Sequence, residues 1–150
     1  MTILALIEKL KAVAAGWGEV LEPPATPSEI KVFVEKVRSL YSVELPIEYL
    51  QFLKIANGLE FNGLIIYGTK NSELDPGGSP LDLIEMNEVM RDSLRANILD
   101  VIVAGEDSTG VIVFDNTAKK FQYRDRVGID RIESYSSFEE MLNVEIEKVM

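Results

Sequence analysis

Ile98-Leu99-Asp100-Val101-Ile102-Val103-Ala104, Val111-Ile112-Val113-Phe114 and Phe121-Gln122-Tyr123 are three β-prone runs following one another closely in the chain. Between them stand Gly105-Glu106-Asp107-Ser108 and Asn116-Thr117-Ala118-Lys119, both made of turn-forming residues. Gaps this short leave no room for a crossover helix, so the runs are expected to pair as antiparallel neighbours. Working outward, Ile132–Tyr135 reads as one more short strand, followed by a closing helix capped by Ser136 with Glu139 three residues on. Upstream, Ser79-Pro80-Leu81-Asp82 has the form of a helix start and opens a helix to about Ala96. The Gly-, Pro-, Asn- and Ser-rich stretch Thr69–Ser79 reads as a loop. Before it, Gly63 and Gly68 enclose the β-prone run Leu64-Ile65-Ile66-Tyr67.

The first third is helical in pattern. Leu4, Ile7, Leu10, Lys11 and Ala14 follow helical spacing, with Gly16 as the stop and Gly18–Ala25 as a linker. Thr26-Pro27-Ser28-Glu29 is the clearest helix start in the chain: a capping threonine, proline at the first helical position, and a glutamate placed to close a capping box. Ile30, Phe33, Val34, Val37 and Leu40 mark its buried face. A third helix begins at Pro46 and ends at Asn57-Gly58. Helices segregated from strands give an α+β class, with a central, mostly antiparallel sheet of about four to six strands packed with N-terminal, middle and C-terminal helices. The 150 residues are expected to form one domain, 1–150.

Composition narrows the chemistry. The chain has no Cys and no His, which removes thiolate and imidazole nucleophiles, bases and metal ligands. Carboxylates, Lys, Tyr, Ser and Thr remain. Twenty-five acidic against 15 basic residues give a net charge of −10, a balance that repels phosphate backbones and anionic membranes and attracts basic partners. No run is long enough to span a bilayer, and Ile3–Ile7 passes directly into Glu8, Lys9 and Lys11, unlike a leader. The expected location is cytoplasmic, with no cofactor, no metal, no nucleic acid and no membrane partner.

Leu45-Pro46-Ile47-Glu48-Tyr49-Leu50-Gln51-Phe52-Leu53, closing with Asn57-Gly58, resembles the SUKH superfamily, which includes fungal cell-wall-synthesis regulators and bacterial immunity proteins. The resemblance extends upstream to Pro24-Ala25 and Glu29-Ile30. Downstream it runs through Gly63-Leu64, Tyr67-Gly68, Gly105, Asp107 and Gly110 to Phe138 and Leu142, covering nearly all the chain from Trp17 onward. Leu59 stands where many members carry a second glycine. The resemblance implies an α+β fold with one sheet, no enzymatic activity, and a binding role, commonly the neutralisation of a nuclease or deaminase toxin. It transfers no catalytic residues.

Charge picks out the candidate contact residues. Between Glu73 and Asp92 lie six acidic residues, Glu73, Asp75, Asp82, Glu85, Glu88 and Asp92, and one basic residue, Arg91, a net −5. The spacing of Asp82, Glu85, Glu88 and Asp92 places them on one arc of a helix, with Leu83, Met86, Met90 and Leu94 facing the core. Such a stripe suits docking on a basic groove; the plain alternative is a solvated helix face with Glu88 paired to Arg91. Glu106, Asp107 and Asp115 flank a hairpin without the ligand spacing of a calcium loop. Trp17 is expected to close the first helix against the core, and Tyr67 and Tyr123 to be half-buried sheet residues. Three functions follow: an immunity protein that covers the basic active site of a toxin, a regulatory or scaffold interaction domain, and a carboxylate-dependent hydrolase. The first is favoured; against the hydrolase, the acids cluster on a solvent face and not among the apolar positions that would raise a pKa.

Overall fold

The computed structural model describes residues 1–98, 101–126 and 131–150, with side chains at all of these except 93–98 and 131–132. The order of elements is α1 (Ile3–Gly16), α2 (Pro27–Tyr41), α3 (Ile47–Leu53), β1 (Leu59–Phe61), β2 (Leu64–Ile66), α4 (Leu83–Ile98), β3 (Val101–Glu106), β4 (Gly110–Asp115), β5 (Lys120–Asp125), β6 (Arg131–Tyr135) and α5 (Phe138–Val149). The six strands form one sheet in chain order, each antiparallel to its neighbours. The fold is α+β, as the short turns require.

The quoted runs fall in β3, β4 and β5, although Ile98 ends α4 and Gly105 and Glu106, read as turn, belong to β3. Residues of both parities are buried from Val101 to Ala104 and from Val111 to Phe114, so both faces of the central strands are covered. That is why these strands read as continuous apolar runs and not as alternation. β3 meets β2 only at Ile65↔Glu106 and Ile66↔Gly105. The Tyr67 N–H donates to the Ala104 carbonyl at 2.9 Å, and α4 satisfies the outward edge beyond it. Asn87, fully buried, accepts from the Val103 N–H and donates to the Val103 carbonyl, both at 2.8 Å, while Arg91 donates to the Val101 carbonyl at 2.8 Å. A side-chain amide thus serves as the missing strand.

α5 lies against β2, β5 and β6 and also meets α1 and α3. Tyr49 and Phe52 of α3 pack on Phe138 with ring centroids 5.4 Å apart, and Phe138 packs on Phe121 at 5.3 Å. Tyr49, Phe52, Phe121 and Phe138 therefore make the centre of the core. The α2 capping box forms as its sequence predicts: Thr26 Oγ1 accepts from the Glu29 N–H at 3.1 Å and Glu29 accepts from the Thr26 N–H at 2.8 Å.

Several local expectations are corrected. In α1 the inner stripe is Ile3, Leu6, Ile7, Leu10 and Ala14, and Leu4 lies outside it, exposed. Leu40 is likewise exposed on α2. α3 stops at Leu53, and Asn57-Gly58 turns the chain into β1, a strand the periodicity does not reveal. Asp82, not Ser79, caps α4, its Oδ1 accepting from the Glu85 N–H at 3.0 Å; Ser79 donates instead to Glu60 at 2.9 Å. Ser137, not Ser136, caps α5 by accepting from the Glu140 N–H, while Glu140 takes the N–H and hydroxyl of Ser136. Tyr67 and Tyr123 are buried more deeply than half. Tyr67 follows β2 and donates to Glu106 at 2.9 Å. Leu94 of the expected core stripe and the segment 99–100 of the first quoted run lie outside the described side chains and residues.

The hairpin carboxylates all have local partners. Asp115 accepts from the N–H groups of Thr117 and Ala118, and Glu106 lies 3.5 Å from Arg126. Asp107 accepts from Tyr123 at 2.7 Å and from the N–H groups of Thr109 and Gly110 at 2.9 and 2.8 Å. Burial pushes its pKa up, but these donated bonds together outweigh burial and hold the carboxyl below the usual aspartate range. A depressed folded pKa stabilises the fold above the unfolded value, about 4, and the contribution is lost as pH falls through the lower folded value. Asp107→Asn should therefore be less stable than the parent at pH 7, with the gap closing below about pH 4. Urea midpoints between pH 7 and pH 3 check this; a gap constant across the range would assign Asp107 a role independent of its charge.

Candidate partner-binding site

The six acidic residues singled out by charge do not form one patch. Glu73 is exposed and pairs with Lys70 at 3.0 Å, and Lys70 in turn holds Glu29 at 2.7 Å. Asp82 is half-buried, its carboxylate committed to capping α4. Asn71 ties the preceding loop to this cap: its Oδ1 accepts from the N–H groups of Leu81 and Asp82, and its Nδ2 donates to Glu85 at 3.0 Å. Asp82 and Glu85 share a groove of about 480 Å³ with Glu29, Lys36 and Lys70, between the start of α2 and the start of α4. The two lysines there offset two of the three carboxylates.

Farther along α4, Glu85, Glu88 and Asp92 are exposed on one side, while Leu83, Asn87 and Met90 are buried on the other and Met86 is half-buried. The helix pattern predicted this split. The expected Glu88–Arg91 pair is replaced: the Arg91 guanidinium lies 4.5 Å from the centroid of the Tyr41 ring and donates to Val101, and its buried Nε has no hydrogen-bond partner. Burial and the neighbouring Glu88 push the Tyr41 phenol up to about 12, so this aromatic face stays neutral at physiological pH. Among the described residues no cation lies within ion-pair distance of Glu85, Glu88 or Asp92.

Asp75 belongs to a different place. With Glu19, Glu22 and Glu60 it lines a second groove, of about 580 Å³, between the α1–α2 linker, the β1–β2 hairpin and the loop before α4. No Lys or Arg lines this groove. Local charge density does not single out Glu19, Glu22 and Glu60, because the first two are only a pair in the linker and Glu60 stands alone in β1. Yet a signal existed: residues 12–30, 55–69 and 71–90 contain no Lys or Arg at all, and all three stretches meet here.

Trp17 is the other correction. Its ring is 57% exposed, stacked by one face on Phe61 at 5.3 Å and 14°. Gly16 ends α1, and Gly18, with φ +75°, turns the chain so that the tryptophan lies across the outside of the β1–β2 hairpin and not in the core.

Among the described residues no group of three or more carboxylates is arranged to hold a metal ion, and no helix is long and apolar enough to cross a membrane. Glu145, fully buried, is held internally by Tyr135 and by Lys148 at 3.1 Å. A scan against protein-family models finds no match, and no curated protein matches the chain.

Proposed function

We propose that the protein is a SUKH-like immunity protein that works in the cytoplasm, without turning over a substrate, by binding a basic toxin that acts on nucleic acids and covering its active site. The observation that carries this reading is the row of exposed carboxylates on α4, Glu85, Glu88 and Asp92, without cations of the same chain within ion-pair distance among the described residues. Like charges left together on a surface cost stability, and a basic partner removes that cost. A groove that normally grips phosphate has the complementary field. Glu73, paired with Lys70, Asp75, in the second groove, and Asp82, the cap of α4, stand apart from this row.

Co-expression with each protein encoded beside this gene that proves toxic to the host, followed by sizing of the complex, tests the reading. Survival of the host and co-elution are expected; continued killing with no complex defeats it. Given a complex, Glu85→Lys, Glu88→Lys and Asp92→Lys together should slow association at least tenfold at low salt, with a smaller effect in high salt. Asp82 is left intact in this variant, because replacing it would also uncap α4. Association rates that do not move would reduce the helix face to solvation.

A further inference from the structure

We propose that the groove between the α1–α2 linker, the β1–β2 hairpin and the loop before α4 is a docking site for an extended segment of a partner protein bearing alternating basic and apolar side chains. The inference rests on the protein-binding reading above but assigns it a different surface from the α4 face.

Two features of the groove specify the occupant. The first is charge: Glu19 and Glu22 of the linker, Glu60 of β1 and Asp75 of the loop before α4 come from three separate stretches of chain, and none is in an ion pair among the described residues. The groove beside α2 lacks this property, since Lys36 and Lys70 line it. The second is apolar exposure. Val20 is 81% and Leu74 58% exposed, both in the lining, and the exposed Trp17 stands two residues before Glu19 on the buried Phe61. Glu60 and Asn62, on either side of Phe61, line the same groove. Large apolar side chains left in water beside carboxylates match a ligand that carries both apolar and cationic groups. A volume of about 580 Å³ is within the range of sites that enclose small ligands, enough for a few side chains of a peptide. Trp17 is not among the lining residues; the exposed apolar side chains within the groove are Val20 and Leu74.

The test uses the full chain and a fluorescein-labelled hexapeptide of alternating Arg and Leu, followed by anisotropy. Glu19→Gln, Glu22→Gln and Glu60→Gln together remove three charges while leaving Ser79 an acceptor at position 60. Glu35→Gln, Glu48→Gln and Glu147→Gln remove three charges elsewhere. The groove variant is expected to bind the peptide at least tenfold more weakly and the second variant within twofold of the parent. Leu74→Ala should weaken binding several-fold, and an Arg-Gly peptide of equal charge should bind the parent more weakly than the Arg-Leu peptide. Equal losses in the two triple variants would mean that binding follows net charge alone and would overturn the proposal, as would equal affinity for both peptides. A toxin complex left intact by the groove variant also overturns it while the immunity reading stands; peptide binding at the groove with no toxin complex has the opposite meaning.

Discussion

Asn87→Ala is expected to lower the stability of the protein by about 3 kcal/mol, the penalty for stripping two buried backbone groups of their partners. The estimate follows from where the amide sits. β2 covers β3 only at Gly105 and Glu106, so the outward N–H and C=O of Val103 have no strand beside them. Asn87 supplies both partners at 2.8 Å and also donates to the Leu83 carbonyl of its own helix. Alanine leaves the helix propensity improved and the packing volume only slightly reduced, yet it orphans both Val103 groups in a fully buried position. Urea unfolding measures the loss. Asn87→Asp separates the hydrogen bonds from shape: a carboxylate accepts from the Val103 N–H but faces the carbonyls of Val103 and Leu83 without a proton. It should match or exceed the alanine defect at neutral pH and recover in part in acid, where the protonated carboxyl donates. An alanine variant within about 0.5 kcal/mol of the parent, the range of ordinary surface changes, would show that the β3 edge does not depend on α4.

This dependence was the least legible part of the fold. The apolar runs of β3, β4 and β5 and the turns between them announce an antiparallel sheet, and Thr26-Pro27-Ser28-Glu29 announces α2, because each of these signals is local. Asn87 looks like any polar residue in a helix until β3 is placed beside it. The two misplaced caps have the same origin. Ser79 and Asp82 are both good caps, as are Ser136 and Ser137, and what selects one is a contact from elsewhere: Ser79 is occupied by Glu60, and Ser136 by Glu140. β1 escaped notice although Asn62-Gly63, with φ +48° and +88°, is a strong two-residue hairpin signal. A strand of three residues, LEF, carries too little alternation to be seen without the turn.

The candidate surface divides along the same line. The exposed row on α4 is a property of one helix and was readable from spacing alone. The second groove collects isolated acids from distant stretches, and only the absence of Lys and Arg in all three stretches hinted that they belong together. Trp17 was misjudged because a lone tryptophan between two glycines has no periodicity to assign it a face. Stacking on Phe61 needs the hairpin to be in place first.

Gly68→Ala should be among the most damaging of the conservative glycine changes, at about 3 kcal/mol for forcing volume into closed packing. A Cβ at this position would lie 2.6 Å from the backbone carbon and oxygen of Asn57, where no flexible side chain can give way. The other edge of Gly68 is equally committed: its N–H donates to Leu81 at 2.7 Å, and its carbonyl accepts from Leu83 at 3.0 Å. Next to it, the Asn57 side chain holds Thr69 through two bonds of 2.8 and 2.9 Å. Gly68 is thus pinned between the turn after α3 and the start of α4, and relief of the clash must separate the two. That separation would also shift Leu81, in the acidic groove, and Asp82, in the groove beside α2. The variant should therefore lose peptide and toxin affinity without any change of charge, at temperatures where it is still folded. Gly77→Ala is the control, since a Cβ there meets nothing within 4 Å, and it should leave stability within about 0.5 kcal/mol of the parent. Thermal unfolding of the two variants side by side reads the difference, and equal midpoints would mean that the contact at Asn57 is far more yielding than its geometry implies.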